Sequence, residues 1–324
     1  MAIYGINKKL QIGPEASWGT EGTPDLQLSF LRETLKQTTT AEPENTLMVS
    51  KGVRNFLPAT HSVAGDIEVE TKPGEAGKIY KWALGKEENA PVLVSGSTGA
   101  YEHTLTCLAV GETQPSKTIV VDRGVAIKNY IGCRVDKISV SAAEKQSIKT
   151  TIAVKGKSEG TGTLNGALTS NDFSSYTFIG GVIKFDGVNY GKIYKFDLNL
   201  SNSLSEDKYP NGSGAYPDEH IHGEKVIELD IEAEYDSTTE AINTDNYKAG
   251  EYIKIEAEFV SPKEIEAGFY HKIKFICNAV RITDVGVNIS GKEMIPISIK
   301  GVATEHGDVE IFEVVITDDI ATVY

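Results

Sequence analysis

VIELDIEAEY, residues 226–235, alternates without a break: Ile227, Leu229, Ile231, Ala233 and Tyr235 fall on one side of an extended chain, Glu228, Asp230, Glu232 and Glu234 on the other. One side meets a core and the other meets water, which is the signature of a half-buried strand. The same two-residue period runs through YIKIEAEFV (252–260), KIYKFDLNLS (192–201), KISVSA (137–142) and VEIFEVVI (309–316). Thirty-one glycines and eleven prolines punctuate these segments. Many short strands broken by turn residues read as an antiparallel, all-β protein.

Helical signals are few. After a strand ending at Thr71 comes KPGEAGKIYKWALG, where Ala76, Ile79, Tyr80, Ala83 and Leu84 share one helical face and Gly85 stands where a left-handed cap would end it. A second helix is expected after Tyr235, with Ser237 and Glu240 spaced as a capping box and Gly250 as the stop. The two helices fall at matching places. DIEVETKPGEAGKIYKWALG from Asp66 aligns with DIEAEYDSTTEAINTDNYKAG from Asp230, and the segment Cys133 to Gly156 aligns with Cys277 to Gly301 through one gap. An internal duplication follows: two tandem β-sandwich or barrel units, each with one short α-helix. The expected layout is an N-terminal arm (1–45), a first unit (46–157) with an inserted loop near 86–118, a Gly/Thr/Ser-rich linker (158–174), a second unit (175–306) and a C-terminal strand or tail (307–324).

The 46 acidic against 32 basic residues give a net charge of −14, which argues against a protein that binds nucleic acid by neutralising phosphates. No apolar run approaches a membrane span, and the opening MAIYGINKKLQIG lacks the apolar centre of an export signal, so synthesis in a cytosol is expected. Cys107, Cys133 and Cys277 have no metal or redox spacing and read as small buried hydrophobes. No nucleophile elbow, P-loop, dinucleotide fingerprint or zinc motif is present. PDEHIHGE (217–224) pairs His220 and His222 with acids, but without a third spaced ligand it reads as a polar loop. The expectation is a protein with no enzyme activity, no cofactor and no metal.

The opening QIGPEASWGTEGTP (11–24), the block HSVAGDIEVETKPGEAGKIYKWALG (61–85) and the strand–loop–strand segment 191–236 together resemble tail tube proteins of long-tailed bacteriophages and phage-like particles. Gly13, Glu15, Gly19 and Thr20 match the opening motif of that family. The resemblance implies a virion tail protein made in the bacterial host cytoplasm. It also implies stacked rings that form a hollow tube for DNA, with tape measure, terminator and baseplate or tip proteins as partners and no membrane. With two units per chain, a ring of three subunits with pseudo-sixfold symmetry is favoured, a six-chain ring being the alternative. If inner strands join into one barrel, the acidic rows Asp66, Glu68, Glu70 and Glu228, Asp230, Glu232, Glu234 are the candidates for the bore, where a negative wall lets DNA slide without adhering. The same residues also fit a plain solvated face with lysines on neighbouring strands as partners.

The glycine-rich loop Ser205 to Gly223, with Tyr209, Asn211, Tyr216, Asp218 and His220, is expected to be mobile in the monomer and to order against the next ring. The N-terminal arm and the tail are the other expected ring-to-ring contacts. A two-domain β-sandwich adhesin or carbohydrate-binding protein is the competing reading; the missing export signal and only two tryptophans count against it.

Overall fold

Val226–Glu234 is a strand with its apolar set buried and its acids outward. It lies inside one long antiparallel sheet that runs, edge to edge, through Lys36–Thr40, Thr60–Glu70, Lys149–Gly156, the second half of Ile127–Ala143, Ile193–Ser201, Val226–Glu234, Pro296–Ala303 and the end of Phe269–Val287. This computed structural model describes residues 8–43, 56–109, 111–289, 294–307 and 309–324. Part of the expected N-terminal arm therefore lies outside the described residues.

Two shorter strand sets complete the fold. The first runs Leu26–Leu28, Leu10–Pro14, Lys117–Asp122, the start of Ile127–Ala143 and Ser158–Thr161. The second runs Val188–Tyr190, Thr177–Phe185, Ile253–Glu266, the start of Phe269–Val287, Phe312–Asp318 and Tyr101–Cys107. Ile127–Ala143 and Phe269–Val287 pass from these sets into the long sheet, and each carries a bulge there, between Val135 and Lys137 and between Ile282 and Asp284. A bulge bends the strand, so the chain can change partners without breaking. The core fills the space between: Phe196 of the long sheet lies 6.0 Å from Phe259, which lies 6.3 Å from Phe275, which meets Tyr80 of the helix at 5.4 Å. Each such ring contributes about 1.5–3 kcal/mol by leaving water.

The described part of segment 1–45 supplies strands on both sides of the core rather than standing apart, because its apolar residues Leu10, Ile12, Leu28 and Leu35 are core residues. The inserted segment forms Val92–Leu93 and Tyr101–Cys107, and the latter pairs with Phe312–Asp318. The linker is held as well: Asn165 exchanges hydrogen bonds with Gln11, its N–H donating to Oε1 at 2.8 Å. The tail folds back on its own chain. His103, fully buried, sits between Glu87 (2.8 Å) and Asp318 (3.2 Å), and the Tyr324 ring stacks on it at 4.2 Å. Burial alone would lower the His103 pKa, but hydrogen bonds to Asp318 and Glu87 outweigh it and the pKa is raised.

Ala76–Leu84 is the first helix, and Gly85 closes it in the left-handed conformation at φ 97°. The second differs from expectation. Its cap is Asp236, whose carboxylate accepts from the N–H groups of Thr238 and Thr239 while Thr239 answers with its hydroxyl; Glu240 instead takes the Tyr235 hydroxyl. Aspartate one residue earlier outcompetes Ser237 because a charged oxygen is the stronger acceptor for the first-turn donors. After Ser237–Ala241 the coil widens into a π-helix, Ile242–Lys248, and Gly250 at φ 90° follows as the stop.

Candidate functional site: the acidic face and the open edges of the long sheet

Asp66, Glu68 and Glu70 share a strand with buried Val63, Ile67 and Val69 but point the other way. Reading the registers across, Glu70 lines up with Lys149, Ser141, Asp197, Asp230, Lys300 and Asp284 in one row. Glu68 lines up with Thr151, Ser139, Asn199 and Glu228 in the next. The two acidic rows, 164 positions apart in sequence, thus occupy one face of one sheet. That face also carries cations. Lys195 pairs with Asp197 at 2.7 Å and Glu232 at 3.8 Å, Lys300 with Asp230 at 4.0 Å, and Lys192 with Glu234 at 2.8 Å. Exposed pairs of this kind are worth about 0–1 kcal/mol each, so they grade the charge of the face more than they hold the fold.

The loop between Ile193–Ser201 and Val226–Glu234 lies docked on its own chain. Tyr209 donates its hydroxyl to the His61 carbonyl at 3.0 Å, the His61 N–H donates to Ala215 O at 2.7 Å, and the Tyr216 ring lies 5.2 Å from that of His61. Asp218 is exposed, its N–H donating to Lys208 O, and Asn211 is exposed at the tip. His220 is only 1% exposed, enclosed by its own chain. Its carbonyl and the Glu219 carboxylate accept from the buried guanidinium of Arg134. His222 turns to the Glu112 carbonyl instead, so the two histidines do not converge. Among the described residues no group of His, Cys, Asp and Glu could hold a metal ion. Arg134 was not singled out by the sequence reading; a lone cation between Cys133 and Val135 in a strand gives no local sign that it anchors a loop.

Glu15, picked out by the opening motif, is the hub of a small network. Its carboxylate accepts from Gly19 N–H (2.9 Å), Gly132 N–H (2.7 Å), Ser116 Oγ (2.8 Å) and Thr118 Oγ1 (2.9 Å). Gly13 lets the chain pass close to Thr23, whose carbonyl would collide with any Cβ there. Thr20 contributes locally, its hydroxyl 2.8 Å from that of Ser17. The motif is thus an anchor for the opening segment.

The last feature is at the ends of the long sheet. Among the described residues, Lys36–Thr40 has no strand on its outer side, and 281–287 pairs on one side only, with Pro296–Ala303. Unpaired edges of this length invite another strand. A β-rich chain with a graded acidic face and two open edges on the same sheet has places where a further strand can pair. The family model described as phage tail tube protein matches residues 5–303, nearly the whole chain, and the chain belongs to that family. It is therefore a structural component of a phage tail. No curated protein matches it. Among the described residues no helix is long and apolar enough to cross a membrane.

Proposed function

We propose that three copies of this chain close a ring by joining the open edges of their long sheets, and that such rings stack into the hollow tube through which DNA passes. The observation that carries this is the joint already inside the chain, where Lys137–Ala143 and Ser201–Lys195 pair over seven positions. On either side of that joint the pairings repeat in the same order. Leu10–Pro14 stands to Leu26–Leu28 and Lys117–Asp122 as Thr177–Phe185 stands to Val188–Tyr190 and Ile253–Glu266. Thr60–Glu70 stands to Lys149–Gly156 as Val226–Glu234 stands to Pro296–Ala303. This supports a duplicated unit, with Asp66 and Asp230 at matching ladder positions. The edge 281–287 then occupies the place of Lys137–Ala143, and Lys36–Thr40 that of the end of Ile193–Ser201. Thr38 is opposite Ser62 as Ser201 is opposite Val226, and Asp284 follows its bulge as Lys137 does, so Thr38 of one copy falls opposite Asp284 of the next.

Geometry favours three. Eight strands per chain give a barrel of twenty-four, and at about 4.8 Å per strand and about 40° tilt its backbone diameter is about 48 Å. Less the inward side chains, that leaves room for a DNA duplex. Six chains joined in the same way would give about 96 Å, far wider than the cargo needs. In the three-chain ring the face bearing Asp66, Glu68, Glu70, Glu228, Asp230, Glu232 and Glu234 lines the bore. Its acids repel phosphates, while Lys149, Lys195 and Lys300 keep the wall from being uniformly negative. The loop tip around Asn211 and Tyr216, exposed at one end of these strands, is the part placed to meet the next ring, with other tail proteins at the tube's two ends. Ring averages with the mass of each ring measured by mass photometry test the reading: three chains per ring are expected, and six would overturn it.

A further inference from the structure

The joint inside the chain is more than a ladder. Where the strand passes its bulge, the segment leaving Ser201 crosses onto the first unit and is held there. The Asn202 N–H donates to Asp136 O at 2.7 Å, Leu204 N–H to Asp136 Oδ1 at 2.9 Å, and the Asn202 amide to Val135 O at 2.8 Å. Beside them Arg134, 3% exposed, grips the far end of the same loop through Glu219 and the His220 carbonyl. Arginine suits this place because its planar fork serves a carboxylate and a carbonyl together.

With the two bulges superposed, the residue standing where Arg134 stands is Arg281: Arg134 precedes the bulge Val135/Lys137 by one, and Arg281 precedes Ile282/Asp284 by one. Its guanidinium is packed at the end of the second helix, where a Cβ on Gly250 would collide with Nη1. Arg281 is half-buried, and among the described residues its side chain makes no hydrogen bond and no ion pair. The rest of its guanidinium is open to water, so its donors are free to take acceptors brought by another chain. The free edge 281–287 begins at this residue.

We infer that Arg281 is the receiving group of the subunit joint: it binds acceptor oxygens of the stretch 56–59 that runs into Thr60 in the next copy of this chain, as Arg134 binds Glu219 and the His220 carbonyl ahead of Val226. Beside that stretch lies Glu42, exposed, whose carbonyl accepts from the Leu57 N–H at 2.8 Å and whose carboxylate is the charged acceptor on offer. The inference rests on edge-to-edge ring closure and adds the side chain that fixes its register. A ladder alone tolerates slippage by two residues, whereas one guanidinium fixed at the end of the helix selects a single alignment.

The test compares Arg281→Ala, Arg281→Lys and Arg134→Ala with the unaltered full-length chain, measuring thermal melting of the monomer and the concentration at which rings sediment. Arg281→Ala is expected to melt with the unaltered monomer and to need at least tenfold more protein to form rings. Arg281→Lys should fall between, since it keeps charge without the fork. Arg134→Ala should lower the melting temperature of the monomer itself. Rings from Arg281→Ala at the unaltered concentration overturn the inference and leave ring closure standing. A monomer of Arg281→Ala that melts as low as Arg134→Ala also overturns it, by assigning Arg281 to its own fold. Rings of the unaltered chain whose joint lies elsewhere overturn the edge reading and this inference together.

Discussion

Of the two variants Thr38→Pro and Thr39→Pro, one is expected to melt like the unaltered monomer and form no ring at all. Successive residues of an antiparallel strand point their N–H groups to opposite sides. On Lys36–Thr40 one side is bonded to Thr60–Glu70 and the other is open. Proline removes the N–H and adds bulk. Placed on the inward-bonding residue it costs the chain one of its own ladder bonds, about 1–3 kcal/mol, and that variant melts lower. Placed on the outward residue it leaves the monomer intact and moves the same cost to the subunit joint. There about 2 kcal/mol is roughly thirtyfold in affinity at every joint of the ring, and the joints multiply. Sedimentation and melting on the two proteins separate the cases. If both form rings at the unaltered concentration, this edge is not where copies meet.

Glu15→Ala should be the most damaging single change outside the core, lowering the unfolding free energy by about 3–5 kcal/mol. Two backbone N–H groups, Gly19 and Gly132, and two hydroxyls, Ser116 and Thr118, converge on that one carboxylate. Bonds to a charged acceptor are worth about 1.5–3 kcal/mol each, and the donors are left partly buried when it goes. Glu15→Gln should recover part of the loss, because its carbonyl still accepts while its amide meets a donor. Urea unfolding of the monomeric proline variant carrying each change gives the comparison free of assembly. A shift below about 1 kcal/mol for Glu15→Ala would show that the network is not what holds the opening segment.

Much of this was legible in the residues. Alternation alone places Ile227, Leu229, Ile231 and Ala233 inside and the acids outside, because a strand with one wet face has no other way to lie. The first helix and its Gly85 stop were equally plain, since a buried helical face and a left-handed cap both leave marks in sequence. What the residues hid is long-range pairing. Cys133 and Cys277 look like matching landmarks, yet with the bulges superposed Cys133 falls on Val280. Two buried cysteines are interchangeable with any small apolar residue, so they mark burial and not position. Arg134-Val-Asp and Arg281-Ile-Thr carry the better landmark, an arginine fixed by a bulge that periodicity does not reveal. The docking of the loop Ser205 to Gly223 was hidden for a similar reason: its glycines and prolines signal turns, while its anchors, His61 and Arg134, lie far off in sequence.

The central claim, three chains closed edge to edge, is met most directly by a cysteine pair, Thr38→Cys with Asp284→Cys, oxidised after the rings have formed. Cys107, Cys133 and Cys277 are buried and do not compete. On a denaturing gel the doubly substituted protein should collapse into one covalent circle of three chains, and each single variant should run as monomer. No cross-link within intact rings, or a covalent circle of six, would contradict the account.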